Sequence, residues 1–162
     1  MSLFLPVIDA FNKAGVEYVI VGGLAVILHG HVRLTTDLDA VIHLTETNAG
    51  KAMGVLQGLG FKPRAPVPAS DFADPSKRAE WIREKNMKVF SFYSEKDPLF
   101  DVDIFVNHPR NFDELYAQSV IKELGSIAVR VVGLDHLIQM KEEAGRPKDL
   151  EDARVLKMIK NG

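Results

Sequence analysis

Asp37 and Asp39 flank one leucine at the head of the run Asp37-Leu38-Asp39-Ala40-Val41-Ile42, the spacing that lets a strand present two carboxylates on one face. Side chains alternate across a strand, so Leu38 enters the core while the acids project together. Aspartate is depleted in strands, and like charges on one face repel, so the arrangement carries a double penalty. A divalent cation removes it, because Mg2+ is usually held by one or two carboxylates together with substrate phosphates. Leu99-Phe100-Asp101-Val102-Asp103-Ile104-Phe105-Val106 repeats the pattern. If the two strands are neighbours, an acid from the second completes a three-carboxylate cluster able to hold two metal ions about 3.5–4 Å apart. Asp103, with Ile104, Phe105 and Val106 behind it, is favoured as that third ligand. Asp101 lies nearer the Lys96-Asp97-Pro98 turn. Strand-edge acids that discourage aggregation are the alternative for either pair alone.

Upstream, Val19, Ile20 and Val21 read as a short buried strand that stops at Gly22-Gly23, and LAVILHG has the apolar density of a short helix. Glycine allows close backbone approach to a ligand, and the first amides of a helix lack internal partners, so Gly22 and Gly23 are candidate phosphate contacts.

Together these residues carry a resemblance. Gly22-Gly23, then Arg33-Leu34-Thr35-Thr36-Asp37-Leu38-Asp39, then Val102-Asp103-Ile104 resemble the signature of the DNA polymerase β-type nucleotidyltransferase superfamily. The segment from Leu137 to Asp152, with Lys141, Ala144, Arg146, Lys148, Asp149 and Asp152 at its marked positions, is similar to the ending of small bacterial nucleotidyltransferases, including the AbiEii-like toxin group. The small lincosamide and aminoglycoside nucleotidyltransferases share the Gly-Gly and Asp-x-Asp core. A tryptophan often follows their glycines where this chain has Leu24, so a drug-modifying role is less favoured.

The resemblance implies a nucleotidyltransferase fold and a Mg2+-dependent transfer of a nucleoside monophosphate from a nucleoside triphosphate to a hydroxyl acceptor. Asp37, Asp39 and Asp103 would hold two Mg2+ ions, with Mn2+ as the substitute, and Asp103 could take the hydroxyl proton. Gly22, Gly23, Arg33, Thr36 and Lys141 would contact the nucleotide. Arg33 could instead pair with an acid, Thr35 and Thr36 could serve the turn, and Lys141 could extend to solvent. An internal ion-pair network is at least as good a reading of Arg146, Lys148, Asp149 and Asp152 as substrate contact. The toxin-like group implies tRNA or protein as acceptor, a cognate toxin or antitoxin as partner, and a toxin–antitoxin or phage-defence setting. A noncatalytic nucleotide-binding or antitoxin-like module, a metal-dependent phosphohydrolase and an antibiotic nucleotidyltransferase are the competing functions.

Positioning these residues requires an α+β architecture, a mixed central sheet flanked by helices in one domain over 1–162. A first helix is expected at 2–14, a strand at 16–21, the short helix after the glycines, and the Asp-x-Asp strand at 37–43. Thr45 caps a helix at 46–58, and Phe61-Lys62 is a short strand before an irregular connection at 63–74. Asp74 and Pro75 open the next helix, packed down by Trp81. Strands at 87–93 and 99–106 form an antiparallel hairpin, Asn111 and Glu114 stand at capping-box spacing, and a strand at 126–132 leads past Gly133 to a helical pair at about 135–160.

Composition sets bounds on function. The 162 residues are 46% hydrophobic, enough for one core. With no cysteine, disulfides and thiolate zinc sites are excluded. A net charge of −2 and a pI near 6.2 lack the footprint of a general nucleic-acid binder. The basic runs around Lys77, Arg78, Arg83, Lys85 and Lys88 and near the chain end read as solvated helix faces. No Gly-x-Ser-x-Gly elbow, Walker loop, His-Glu-x-x-His zinc pattern or Gly-x-Gly-x-x-Gly turn occurs. No segment reads as a membrane span or secretory leader, so cytoplasm is the expected location.

Overall fold

The computed structural model describes residues 3–162. Seven strands, β1 (Tyr18–Val21), β2 (Asp37–Ile42), β3 (Lys62–Pro63), β4 (Val89–Tyr93), β5 (Asp101–Phe105), β6 (Val120–Leu124) and β7 (Ile127–Val131), make one sheet in the order β3-β4-β5-β2-β1-β7-β6. β2 pairs antiparallel with β1 and parallel with β5, and β7 lies parallel to β1. The sheet is therefore mixed, as expected. β1 is buried at every position, which is why it reads as an unbroken apolar run. β4 and β5 alternate instead, burying Phe90, Phe92, Val102 and Ile104, and β2 alternates from Asp37 to Ala40 before Val41 and Ile42 are buried as well.

Among the described residues, seven α-helices flank the sheet: α1 (Leu5–Ala14), α2 (Gly22–Leu28), α3 (Glu46–Gly58), α4 (Pro75–Lys85), α5 (Phe112–Ala117), α6 (Leu134–Ala144) and α7 (Pro147–Asn161). The expected start of the first helix at residue 2 lies outside the described residues. α1 stops at Gly15, whose φ of 71° lets its amide return to the last turn. Thr45 caps α3 by accepting from the Asn48 amide at 3.2 Å. Asp74 caps α4 through the Ser76 amide at 2.8 Å, with Pro75 at the first helical position. Trp81 holds α4 down by stacking on Phe90, ring centroids 4.9 Å apart.

Three elements differ from expectation. The connection at 63–74 contains a 3-10 turn, Ala69–Ala73, anchored by the fully buried Phe72. Arg78, expected on a solvated face, is buried and donates to the carbonyls of Phe72 and Leu44. β6 is an additional edge strand pairing antiparallel with β7. Its mostly exposed side chains gave no apolar alternation to read.

Candidate active site

The parallel register of β2 and β5 sets Asp37 opposite Asp101 and Asp39 opposite Asp103. Register partners project to the same side, so the acids of both strands emerge together on one face. On the outer flank of β5, Ser91 opposes Asp103 and Tyr93 opposes Asp101. On the inner flank of β2, Val21 opposes Asp39, which puts the end of β1 and the start of α2 against the acids.

This crowding changes the protonation of the carboxylates. Burial first, then the charges of Asp103 and Asp37, push Asp39 up to about 7, while the Lys141 ammonium draws it back. Asp103 is also raised by burial, with the Ser91 hydroxyl opposing and Asp37 and Asp101 adding to the rise. Asp39 and Asp103 thus titrate as a pair that shares a proton. Even so, Asp103 Oδ1 is buried and has no hydrogen-bond partner among the described residues. A buried acceptor beside a second acid has the chemistry of a cation ligand. Among the described residues, no group of three His, Asp or Glu side chains is gathered closely enough to hold a metal ion by itself. The pair is assembled, and Asp37 acts on it through its charge.

Gly22 has φ +67°, and a Cβ on it would sit 2.2 Å from Asp39 Oδ2. The glycine is required twice, by its left-handed backbone and by the carboxylate seated against it. Gly23 is less tightly packed, since a Cβ there would meet Thr35 Oγ1 at 2.9 Å. Both glycines lie directly beneath the loop and strand that deliver the acids.

No protein-family model and no curated protein sequence matches the chain. Solved structures do. The lincosamide antibiotic adenylyltransferase LnuA, with lincomycin bound, aligns at a TM-score of 0.61 and 16% identity over 94% of this chain and 93% of that one. ANT(2'')-Ia in complex with adenylyl-2''-tobramycin aligns at 0.62 and 14% over 99% and 88%. An antigenic nucleotidyltransferase-like protein from Paracoccidioides brasiliensis aligns at 0.61 and 15% over 98% and 73%. The chain has the nucleotidyltransferase fold.

Within this nucleotidyltransferase fold the remaining candidate residues divide. Lys141, on α6, is 8% exposed and lies 3.2 Å from both Asp149 and Asp152 of α7. It is a buried ion-pair partner and does not extend to solvent. Arg33 turns toward the same cluster, 2.6 Å from Asp152 Oδ2, with His31 Nε2 3.6 Å from Oδ1. Arg146 completes the network on Asp149 at 2.6 Å. Thr36 is exposed, and its carbonyl accepts from the Asp101 amide at 3.3 Å, tying the starts of β2 and β5 together.

Arg64 was not legible as a site neighbour. It donates to both oxygens of Asp101, at 3.0 and 2.6 Å, and its guanidinium lies over Tyr93. That pairing occupies both oxygens of Asp101, whereas Asp103 on the same strand keeps its Oδ1 without a partner among the described residues. Ser91 was also missed, although it falls on the acid-facing side of β4 once the strand's alternation and register are known. Two clefts of about 430 and 290 Å3 lie elsewhere, one between α6 and α7 and one beside Tyr18 and Arg130, and none of the acids on β2 or β5 lines either.

Proposed function

We propose that the chain is a Mg2+-dependent nucleotidyltransferase that moves a nucleoside monophosphate from a nucleoside triphosphate to a hydroxyl acceptor. One observation carries the reading: the unpartnered, buried Asp103 Oδ1 stands beside the proton-sharing Asp39 within a nucleotidyltransferase fold. Asp39 and Asp103 have the donor chemistry to hold Mg2+ or Mn2+, and Asp37 stands on the same face of the sheet as a third carboxylate. When bound, the metal supplies positive charge to the triphosphate and to the attacking and leaving oxygens.

The chain's own residues do the rest. Gly22 keeps a side chain away from Asp39, Gly23 keeps one away from Thr35, and both leave room for phosphate. Asp103, its affinity for a proton raised by burial, can accept the hydroxyl proton as the nucleophile forms. Lys141 lowers Asp39 electrostatically from within its ion-pair cluster, and Arg33 fixes the loop that carries Thr35 and Thr36. The Lys141-to-Asp152 segment supports an AbiEii-like affiliation, with tRNA or protein as acceptor. A small-molecule acceptor is the second reading, favoured by the lincomycin and adenylyl-tobramycin complexes of two proteins that share the fold.

The test incubates the protein with Mg2+ and each α-labelled nucleoside triphosphate, offering RNA, protein, lincomycin or tobramycin in turn. Label should move to an acceptor with the intact protein and not with Asp39→Asn or Asp103→Asn. Metal-dependent phosphate release without transfer would mean a phosphohydrolase. Nucleotide binding without turnover would mean a noncatalytic module, and absence of metal-dependent binding would refute the proposal.

A further inference from the structure

The acid face is built from two rungs of the same kind. β2 and β5 run parallel, with Asp37 across from Asp101 and Asp39 across from Asp103. Residues two apart on a strand share a face, so both rungs project to the same side of the sheet, each offering one aspartate from β2 and one from β5. By residue type either could receive a hard divalent cation. The difference lies beyond β5. There β4 sets Tyr93 across from Asp101 and Ser91 across from Asp103. β3 pairs Pro63 with Phe92, and Arg64, the next residue, donates its amide to the Ser91 carbonyl at 2.9 Å. This anchor holds an arginine at the edge of the first rung.

From there the Arg64 guanidinium lies over the Tyr93 ring, 5.0 Å from its centroid, and reaches Asp101. Nε is 3.0 Å from Oδ2 and Nη2 is 2.6 Å from Oδ1. Two N–H groups of one planar cation thus take both oxygens of the carboxylate, a match in shape as well as charge that an ammonium does not make. A divalent ion on Asp101 has to open this fork or stand against its positive charge. The second rung is different. Among the described residues no lysine or arginine lies within ion-pair distance of Asp39 or Asp103, and Asp103 Oδ1 is buried without a hydrogen-bond partner. Asp37 is likewise in no ion pair among the described residues, so three carboxylates of the face remain open to an ion.

We propose that Arg64 decides which rung takes the metal. By occupying Asp101 it withdraws the Asp37–Asp101 rung and leaves Asp39 and Asp103, with Asp37 on the same face, to receive the ion. This rests on the nucleotidyltransferase reading above and goes beyond it in giving Arg64 and Asp101 roles. Arg64 is a positioning residue that touches no metal, and Asp101 is a carboxylate kept from the metal. The side chains of Arg64 and Asp101 are 48% and 25% exposed. Water therefore screens the pair, and an exposed pair shifts an equilibrium by a few-fold, not by orders of magnitude. Arg64 biases the choice between two rungs that are otherwise alike. An ion deprived of Asp103 should accordingly find Asp101 once the fork is gone.

The experiment measures Mn2+ binding by electron paramagnetic resonance of the free ion, with no nucleotide and no turnover. Asp103→Asn should weaken binding at least about tenfold. Adding Arg64→Gln to Asp103→Asn should recover about three- to fivefold. Arg64→Lys, which keeps the charge and loses the fork, should recover as much, and adding Asp101→Asn to either double variant should remove the gain. Lys62→Gln, which removes an exposed β3 cation paired with Glu95, should leave Asp103→Asn unchanged. Recovery with Arg64→Gln but not with Arg64→Lys, or equal recovery with Lys62→Gln, would reduce Arg64 to its charge. No recovery with any variant would mean that the fork does not choose, and binding that Asp103→Asn does not weaken would put the ion elsewhere. Each of these overturns the assignment while leaving nucleotidyl transfer standing. Absence of Mn2+ binding by the intact chain also overturns it, and if binding is absent with a nucleoside triphosphate present as well, the nucleotidyltransferase reading falls with it.

Discussion

Asp39 is where the electrostatics of the site can be measured without knowing any substrate. Its folded-state pKa is raised from an ordinary carboxylate value to about 7, so the folded chain holds this proton more tightly than the unfolded one. The resulting stabilisation is complete below about pH 4 and disappears as pH rises through about 7. Metal-free protein should lose thermal stability between pH 5 and 8. Asp39→Asn, which has no carboxylate to ionise there, should show a flatter profile over that window. Mg2+ should restore stability most at the alkaline end, where the acids repel unscreened. Equal slopes for the two proteins in differential scanning fluorimetry would contradict the proton-sharing pair. Asp149 gives the opposite sign in a separate range. Burial alone would raise it, but Arg146 and Lys141 hydrogen bonds hold it below the usual carboxylate value, so its contribution is lost only in stronger acid. Gly22 offers a steric test of the same acid. Gly22→Ala imposes a left-handed alanine costing about 1–2 kcal/mol and drives a methyl into Asp39. Metal-dependent nucleotide binding, followed by calorimetry, should therefore fall by more than the stability loss accounts for; unchanged affinity would place Asp39 outside the binding site.

At the scale of elements, α6 and α7 serve the site by holding the loop at 31–36. Lys141, Asp149 and Asp152 are buried together, and Arg33 and His31 reach in from the loop. Removing one member of a buried ionic group leaves the others unsatisfied, which costs about 3–5 kcal/mol. Lys141→Met should approach the lower end, because Arg33 and Arg146 remain on the two acids. Lys148→Met, at an exposed position of α7, should change stability by under about 0.5 kcal/mol. Urea unfolding of the two variants distinguishes an anchored helical pair from a merely solvated basic tail. The acids of β2 and β5 were legible in sequence because a period of two is a local signal, and the strands around them follow the same rule. The ion-pair reading of the tail was open as well, since Arg146 and Asp149 are one helical turn apart. Arg33–Asp152 and Arg64–Asp101 were not legible. Their members lie 119 and 37 positions apart, and no local pattern encodes such a pairing. β6 and the Phe72 anchor escaped for a related reason, being defined by what they pack against and not by their own periodicity.

Across the whole molecule, charge makes the acceptor question accessible to a simple titration. The chain carries −2 overall, and Arg33, Arg64, Lys141 and Arg146 are all neutralised by carboxylates on the same chain. An acceptor held through apolar contacts releases few counterions, because the association buries apolar area and not phosphates. Its rate of labelling should change by no more than ~3-fold between 50 and 200 mM KCl at fixed Mg2+, as expected where screening acts on only a few exposed charges. An RNA acceptor gripped through 6–10 phosphates would lose about 10³–10⁵ in affinity over the same range. Salt screens the buried Asp39–Asp103 pair and the Lys141 cluster much less than exposed charges, so nucleotide binding measured in parallel separates a change at the acceptor surface from one at the acids. A steep salt dependence of transfer with constant nucleotide affinity would identify the acceptor as a polyanion. A shallow one would identify an acceptor that carries few phosphates, a protein or a small hydroxyl compound.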